Sequence, residues 1–177
     1  MALDSKRLGK QRVECKQILT ALETGTGWIN HPATKMWAGH TKALAVYAHV
    51  ICTEWQKRGH ADTLLDYFDT TYAADILSIY HESVDWPWWF GHPMMVATHR
   101  SKLLRKDGPY YEPKWATGDH DSLWADYRLP YLWPTPGSGK DRPYGHQQFY
   151  LSAAELRRKD WELPPLWNIN GVGRVWR

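Results

Sequence analysis

The 177-residue chain has only two cysteines, Cys15 and Cys52, and it has no long uninterrupted apolar run. Two thiols are too few for a cysteine-rich zinc site or for the disulfide framework of a small secreted domain. No apolar run reaches the ~20 residues that a membrane-spanning helix needs, and no signal-peptide pattern is present. We therefore expect two reduced core cysteines in a cytoplasmic protein with no membrane partner.

Basic residues are also missing from one long stretch, residues 59–99, although the net charge of the whole chain is +3. The basic residues cluster on either side of this stretch, so the folded chain can present one positive and one negative face, and only the positive face suits phosphate. The stretch itself carries six acids: Asp62, Asp66, Asp69, Asp75, Glu82 and Asp85.

The sequence also has no strand-like alternation of apolar and polar residues and no internal repeat, whereas apolar residues recur at helical spacing in several segments. The first helix is predicted from about Asp4 to Glu23, with Asp4 or Ser5 as its cap and with Gly9 marking a close backbone approach. Pro32 suits the first turn of a second helix, which stops at Gly59. The apolar residues of that helix recur at spacings of three, four and seven: Trp37, Leu44, Tyr47, Ile51 and Trp55.

Further helices are predicted at about 61–82 (acidic, in two pieces), 94–106 (closed by Asp107-Gly108-Pro109) and 152–160. The expected fold class is mainly α: a compact single-domain helical bundle with long irregular loops and a C-terminal extension. Residues 1–134 form the helical domain in this interpretation, and residues 135–177 form the extension that packs on it. Most of the twelve tryptophans are expected in the core, with a minority available to stack on bases.

The segment "KRLGKQRVE", residues 6–14, places one carboxylate, Glu14, among four basic residues. Since each helical residue advances about 100°, Arg7, Lys10 and Glu14 form a stripe beside the apolar face. A side chain on this boundary can be half-buried and still meet a ligand. The alternative is a Lys10–Glu14 surface pair, which is worth only ~0.3–0.5 kcal/mol.

Several histidines are candidates for contacts, but no H-E-x-x-H motif or carboxylate pair points to a metal site. His31 and His40 flank the start of the second helix, and His40 faces the apolar stripe or its edge, where a satisfied core histidine is the alternative. His99 and Arg100 open the basic segment "HRSKLLRK", whose cations spread over several helix faces. We expect neither a metal nor a cofactor.

The order and spacing of these segments resemble the pyrimidine-dimer DNA glycosylase (endonuclease V) family. The resemblance covers about residues 3–134 and is carried by the stretches "LDSKRLGKQRVE", "NHPATKMWAGH", "LAVYAHVICTEWQKRG", "HPMMVATHRSKLLRKDGPYY" and "LPYLWP". It implies a compact all-α domain that binds duplex DNA, flips out a nucleotide and cleaves the base–sugar bond. In the family the catalytic glutamate lies seven residues after a His-Leu or Arg-Leu pair, so Arg7-Leu8 assigns that role to Glu14.

The resemblance also implies phosphate contacts from the first helix, and we extend the expected DNA surface to the other basic segments. The residues expected to contact DNA are Arg7, Lys10, Arg12, His31, Lys35, His40, His99, Arg100, Lys102 and Lys106.

The family's nucleophile is the free amine of the mature N-terminus, which forms a Schiff base with the sugar. Ten residues of helix separate Asp4 from Glu14, about 15 Å. Two expectations therefore remain open. Either the true start lies upstream of Met1, or Glu14 acts on a water and the enzyme releases the base without cleaving the strand.

The expected function is that of a DNA glycosylase that excises a damaged or modified pyrimidine from double-stranded DNA. We expect a monomer associated with the nucleoid or present in the cytoplasm of a host cell. The alternatives are a non-catalytic DNA-binding module on the same scaffold, which salt-dependent binding without chemistry would reveal, and an enzyme that modifies a flipped base.

Overall fold

The computed structural model describes residues 2–78, 84–115, 129–134 and 149–151, together with residue 157. The chain divides into two compact units, residues 3–87 and residues 88–177. The described secondary structure consists of seven α-helices, a 3₁₀ turn and one pair of short strands, which confirms the mainly α fold class. The division at residue 134 and the single domain stay predictions, and the helix expected at 152–160 falls almost wholly outside the described residues.

Helix α1 spans Ser5–Thr24, and Asp4 caps its N-terminus. The Asp4 carboxylate accepts a hydrogen bond from the backbone N–H of Arg7 at 3.0 Å, which satisfies a donor that a helix start leaves open. The helix ends at Gly25, whose φ of 68° lies in the left-handed region. The predicted first helix is confirmed. Its buried side chains are Leu8, Cys15, Ile18, Leu19 and Ala21.

Two helices follow, α2 (Pro32–Trp37) and α3 (Thr41–Lys57). The periodicity predicts one helix through this region, and this prediction is wrong at residues 38–40. Gly39 adopts a φ of 82°, which ends α2 before α3 begins. Helix α3 packs along α1 and stops before Gly59, as predicted. Its buried residues are Ala43, Leu44, Ala45, Val46, Ala48, Ile51 and Cys52.

The acidic region forms α4 (Leu64–Thr71) and α5 (Ala73–Leu77), which confirms the expectation of two helical pieces. Both helices pack against α3. Their apolar side chains supply the rest of this core while their acids stay outside: Phe68, Tyr72 and Ile76 are buried, and Asp66 and Asp69 are exposed.

The second unit contains α6 (Pro93–Lys106), α7 (Gly108–Trp115) and the antiparallel strands β1 (Leu132–Pro134) and β2 (Phe149–Leu151). Helix α6 matches its prediction and ends before Asp107 as expected, but a further helix that was not predicted begins at Gly108. Proline fits the first turn of a helix, where no backbone donor is required. The strands were not predicted, since three residues are too few for an alternating pattern.

Both cysteines are buried and free, as predicted. Burial raises the pKa of the Cys15 thiol above its usual range. Burial, with a further contribution from Asp62, raises the pKa of Cys52 to about 12. The two thiols therefore remain protonated and unreactive at neutral pH.

Gly9 lies where the Trp55 side chain of α3 packs directly against the backbone of α1, so the close approach predicted at this glycine is that of an aromatic ring. A Cβ added to Gly9 would lie 3.0 Å from atoms Cη2 and Cζ3 of Trp55. The indole has little freedom to move, because its ring stacks on His60 with centroids 3.9 Å apart. Its Nε1 donates to the Ala61 carbonyl at 3.0 Å, which fixes the ring further.

Gly9→Ala is therefore expected to lower the free energy of unfolding by about 1 kcal/mol. Overpacking against the fixed ring costs ~1–3 kcal/mol and outweighs the ~1 kcal/mol that alanine gains in helix propensity. Urea titration of the two proteins measures the difference. Gln17→Ala, at an exposed position of the same helix, is the control and should leave stability unchanged or slightly higher; a Gly9→Ala protein as stable as this control would contradict the packing argument.

Candidate active site and nucleic-acid interface

Glu14 lies at the boundary between the buried face of α1 and solvent, as the helical spacing predicts. Its side chain is 35% exposed, and its Oε1 lies 3.4 Å from the Nζ of Lys10. Lys10 itself is 73% exposed and can leave this weak pair to meet a phosphate. The carboxylate is neither enclosed in apolar packing nor distant from basic residues, so the geometry is compatible with a catalytic role.

Arg7 starts the same stripe about two turns before Glu14, and its guanidinium is oriented by the helix cap. Its NH1 donates to Oδ2 of Asp4 at 2.8 Å, and both side chains are mostly buried. Asp4 thus caps the helix with one carboxylate oxygen and holds Arg7 with the other. The arginine is held at the N-terminal end of α1.

Arg12 has a different environment from the other bases of α1. Its guanidinium forms an ion pair with Asp62, and these side chains are only 13% and 0% exposed. The same guanidinium carbon lies 4.4 Å from the centre of the Trp55 ring. Asp62 also accepts from the backbone N–H of Leu64 at 2.8 Å. These contacts join α1, α3 and the start of α4, while a contact of Arg12 with DNA stays a prediction.

The two histidines that flank α2 have different environments. His31 is exposed and caps α2, because its Nδ1 accepts from the backbone N–H of Ala33 at 3.1 Å. Lys35 follows one turn later on the same side of the helix and is half-buried. His40 is only 7% exposed, and its Nδ1 lies 3.2 Å from the Asp85 carbonyl, to which it can donate. This is the arrangement of a satisfied core histidine.

The four predicted residues of α6 do not share one face. His99 contacts the Tyr131 ring, with centroids 4.6 Å apart, and the Nζ of Lys102 lies 5.6 Å from the centre of the same ring. Arg100 lies instead 5.6 Å from the Trp115 ring centre. Lys106 is exposed in the last turn. Helical spacing accounts for this spread, whereas the aromatic partners come from distant parts of the chain.

Two histidines of the second unit are held in the uncharged form. His92 caps α6, and its Nδ1 accepts from the backbone N–H of Met94 at 3.2 Å. Burial lowers the pKa of His92. Burial also lowers the pKa of His99 and outweighs the hydrogen bond to the Met95 carbonyl, which raises it, while Lys106 adds a smaller lowering effect. A protonated Nδ1 cannot accept, so protonation of His92 removes the cap.

These shifts predict a loss of stability at mildly acidic pH. A histidine with a lowered folded-state pKa stabilises the fold fully above its unfolded value of ~6.5, and this stabilisation is lost as the pH falls below that value. We expect the free energy of unfolding to fall between pH 7.5 and pH 5.5. In His92→Asn, asparagine keeps the cap without titrating, so the fall should be smaller, as urea titrations at the two pH values will measure. An equal fall in both proteins would exclude His92 as a source.

Sequence reasoning missed the aromatic contacts that hold these cations and imidazoles. Trp28 stacks on His31 with centroids 5.0 Å apart and planes 25° apart. The three-residue spacing of this pair is a sequence signal for such a contact. The Arg12–Asp62 pair has no such signal, since fifty residues separate its members.

Among the residues that the structure describes, no three His, Cys, Asp or Glu side chains lie together in a way that could hold a metal ion. Likewise, none of the described helices combines the length and apolar composition that crossing a bilayer requires.

The family model described as pyrimidine dimer DNA glycosylase matches residues 1–68 of this chain. The resemblance to this family is confirmed over that segment. No curated protein and no solved structure matches the chain. The matched segment contains Glu14 and every expected DNA contact of the first unit. The resemblance to pyrimidine dimer DNA glycosylases over residues 69–134, including the basic residues of α6, stays a prediction.

Proposed function

We propose that this protein is a DNA glycosylase that releases a damaged or modified pyrimidine from duplex DNA, with Glu14 as the catalytic carboxylate. The observation that carries the proposal is the half-exposed Glu14 beside Lys10 on α1, inside the segment that matches pyrimidine dimer DNA glycosylases. The exposed basic residues of α1 supply charge for the phosphates on either side of the target.

The chemistry requires a carboxylate next to a nucleotide that has left the helix stack. The stacked base hides its reacting atoms, so the nucleotide is extruded before reaction. The C1′–N bond then breaks, the base departs with the bonding electrons and takes up a proton, and positive charge builds on the sugar. Glu14 stabilises this charge and orients the water that adds to C1′, which leaves an abasic site.

Strand cleavage is a separate step that needs an amine at C1′. The backbone before α1 is tied down at the start of the helix, because NH1 of Arg58 donates to the Leu3 carbonyl at 2.6 Å. Glu14 lies about 15 Å further along the helix. Borohydride trapping of a protein–DNA adduct distinguishes an amine-dependent lyase from a water-dependent glycosylase.

The test of the proposed function is a gel assay on duplexes that each carry one defined pyrimidine lesion or modified base. Abasic sites are revealed by alkaline cleavage, and the undamaged duplex is the control. Release from at least one substrate supports the proposal. Salt-dependent binding to duplex DNA with no abasic product from any substrate, for a protein with the full-length N-terminus, would instead indicate the non-catalytic DNA-binding module.

A further inference from the structure

The loop between α1 and α2 presents an aromatic ring to solvent in a fixed orientation. Residues 23–28 are all exposed, and the indole of Trp28, at the end of this stretch, is 40% exposed. Isolated exposed apolar residues are common and need no explanation. Here, however, three further features of the same loop hold the ring and surround it with groups that suit a nucleotide.

The first feature is the support under the ring. Trp28 begins the 3₁₀ turn Trp28–Asn30, and its indole stacks on the imidazole of His31. His31 is itself fixed, because its Nδ1 accepts from the Ala33 N–H and its own backbone N–H donates to the Trp28 carbonyl at 2.8 Å. Pro32 follows directly and restricts the backbone further. The two rings form a preorganised stack.

The second feature is the space around the loop. Gly25 and Gly27 have φ values of 68° and 66°, and a Cβ added to either would meet no atom within 4 Å. The left-handed backbone shapes the loop without covering the aromatic pair.

The third feature is the polarity of the neighbouring groups. Lys35 lies one turn further on the side of α2 that carries His31. An aromatic face with an ammonium group nearby matches two parts of a nucleotide, namely its base and its phosphate.

We propose that Trp28 and His31 form a platform on which an unpaired base of bound DNA stacks, with Lys35 meeting the adjacent phosphate. This inference rests on the DNA binding of the proposed function and adds a second point of contact to it. Extrusion of a nucleotide produces unpaired bases in the duplex, and an aromatic platform stabilises one of them regardless of its sequence. A paired base is already stacked on both faces inside the duplex, so it cannot stack on this platform.

The test compares binding to a fully paired duplex with binding to the same duplex carrying one unpaired 2-aminopurine. We expect the full chain to prefer the unpaired base by about tenfold, the effect of one base–aromatic stack. We also expect 2-aminopurine fluorescence to fall on binding. Trp28→Ala should abolish both effects and change affinity for the paired duplex by less than about twofold, whereas Trp28→Phe should keep most of them.

Two controls separate stacking from general damage to the fold. Trp86→Ala removes another exposed tryptophan, 37% exposed, and should behave like the unmodified protein. His31→Asn keeps a capping side chain on α2 but removes the supporting ring, and should weaken the preference by about threefold or less. Thermal melts identify any variant that fails to fold, and Trp28→Phe and His31→Asn then decide the question.

The outcomes are distinguishable from those of the glycosylase assay. A preference that persists in Trp28→Ala overturns the platform even if bases are released. A Trp28-dependent preference without base release from any duplex supports the platform and overturns the proposed catalysis. A chain that binds neither duplex overturns both.

Discussion

Glu14→Gln is expected to reduce the rate of base release by about a hundredfold to a thousandfold, the usual effect of removing one group that stabilises transition-state charge. Glutamine has the same shape but carries no charge to oppose the cationic sugar. Because the carboxylate is 35% exposed and its Lys10 pair is weak, the substitution should alter stability by less than about 1 kcal/mol. Single-turnover assays with enzyme in excess measure the chemical step.

The DNA affinity of Glu14→Gln distinguishes a catalytic role of Glu14 from a role in which its carboxylate only repels the DNA phosphates. A catalytic carboxylate predicts that Glu14→Gln binds duplex DNA about as well as the unmodified protein. A non-catalytic module predicts tighter binding, because a negative charge near phosphates has been removed. The matched control is Glu23→Gln on the same helix, where glutamine can still accept from the Tyr72 hydroxyl. Equal base release by both variants would contradict the assignment of Glu14.

Asp62→Ala is expected to lower the free energy of unfolding by about 3–5 kcal/mol, which is the cost of leaving one member of a buried ion pair without its partner. The Asp62 side chain is fully buried, and Arg12 would lose its only carboxylate contact among the described residues. The same substitution removes the acceptor for the Leu64 N–H. Asp62→Asn keeps that acceptor and should therefore cost less. Urea titration measures each loss.

Two comparisons test the origin of this loss. Asp69→Ala removes an exposed carboxylate from its pair with His49 and should cost less than about 1 kcal/mol. Arg12→Met combined with Asp62→Ala should be more stable than Asp62→Ala alone, because no unpaired charge remains buried. If Asp62→Ala costs no more than Asp69→Ala, the buried pair does not hold α1 to the start of α4.

The helices that the sequence predicts well are those with a local signal at both ends. Helix α1 has a capping Asp4 and a terminal Gly25, and α6 begins at Pro93 after a histidine cap. Prediction failed where such a signal was ambiguous. Gly39 interrupts a continuous apolar period, and Gly108-Pro109, expected only to close α6, also begins a further helix. Glycine and proline occur at both kinds of boundary, so only the packing of the flanking residues decides between them.

The site was predictable to the extent that it lies on one helix. Helical geometry alone placed Glu14, Lys10 and Arg7 on one stripe, and the structure has Lys10 beside Glu14. Helical geometry could not show that the Arg12 side chain, two residues before Glu14, forms a buried ion pair. That distinction depends on Asp62 and Trp55, which come from other elements.

The sequence by itself determined the mainly α fold, the Asp4 cap of α1 and the half-exposed position of Glu14, because each depends on residues within a few turns of one another. Only the tertiary structure decided which cations remain available to a ligand. Lys10 stays in solvent, whereas Arg12 is buried against Asp62. On an isolated helix every face is in water, so a charged side chain is solvated at any position. In the folded chain, its exposure depends on the acid or aromatic ring that folding brings against it.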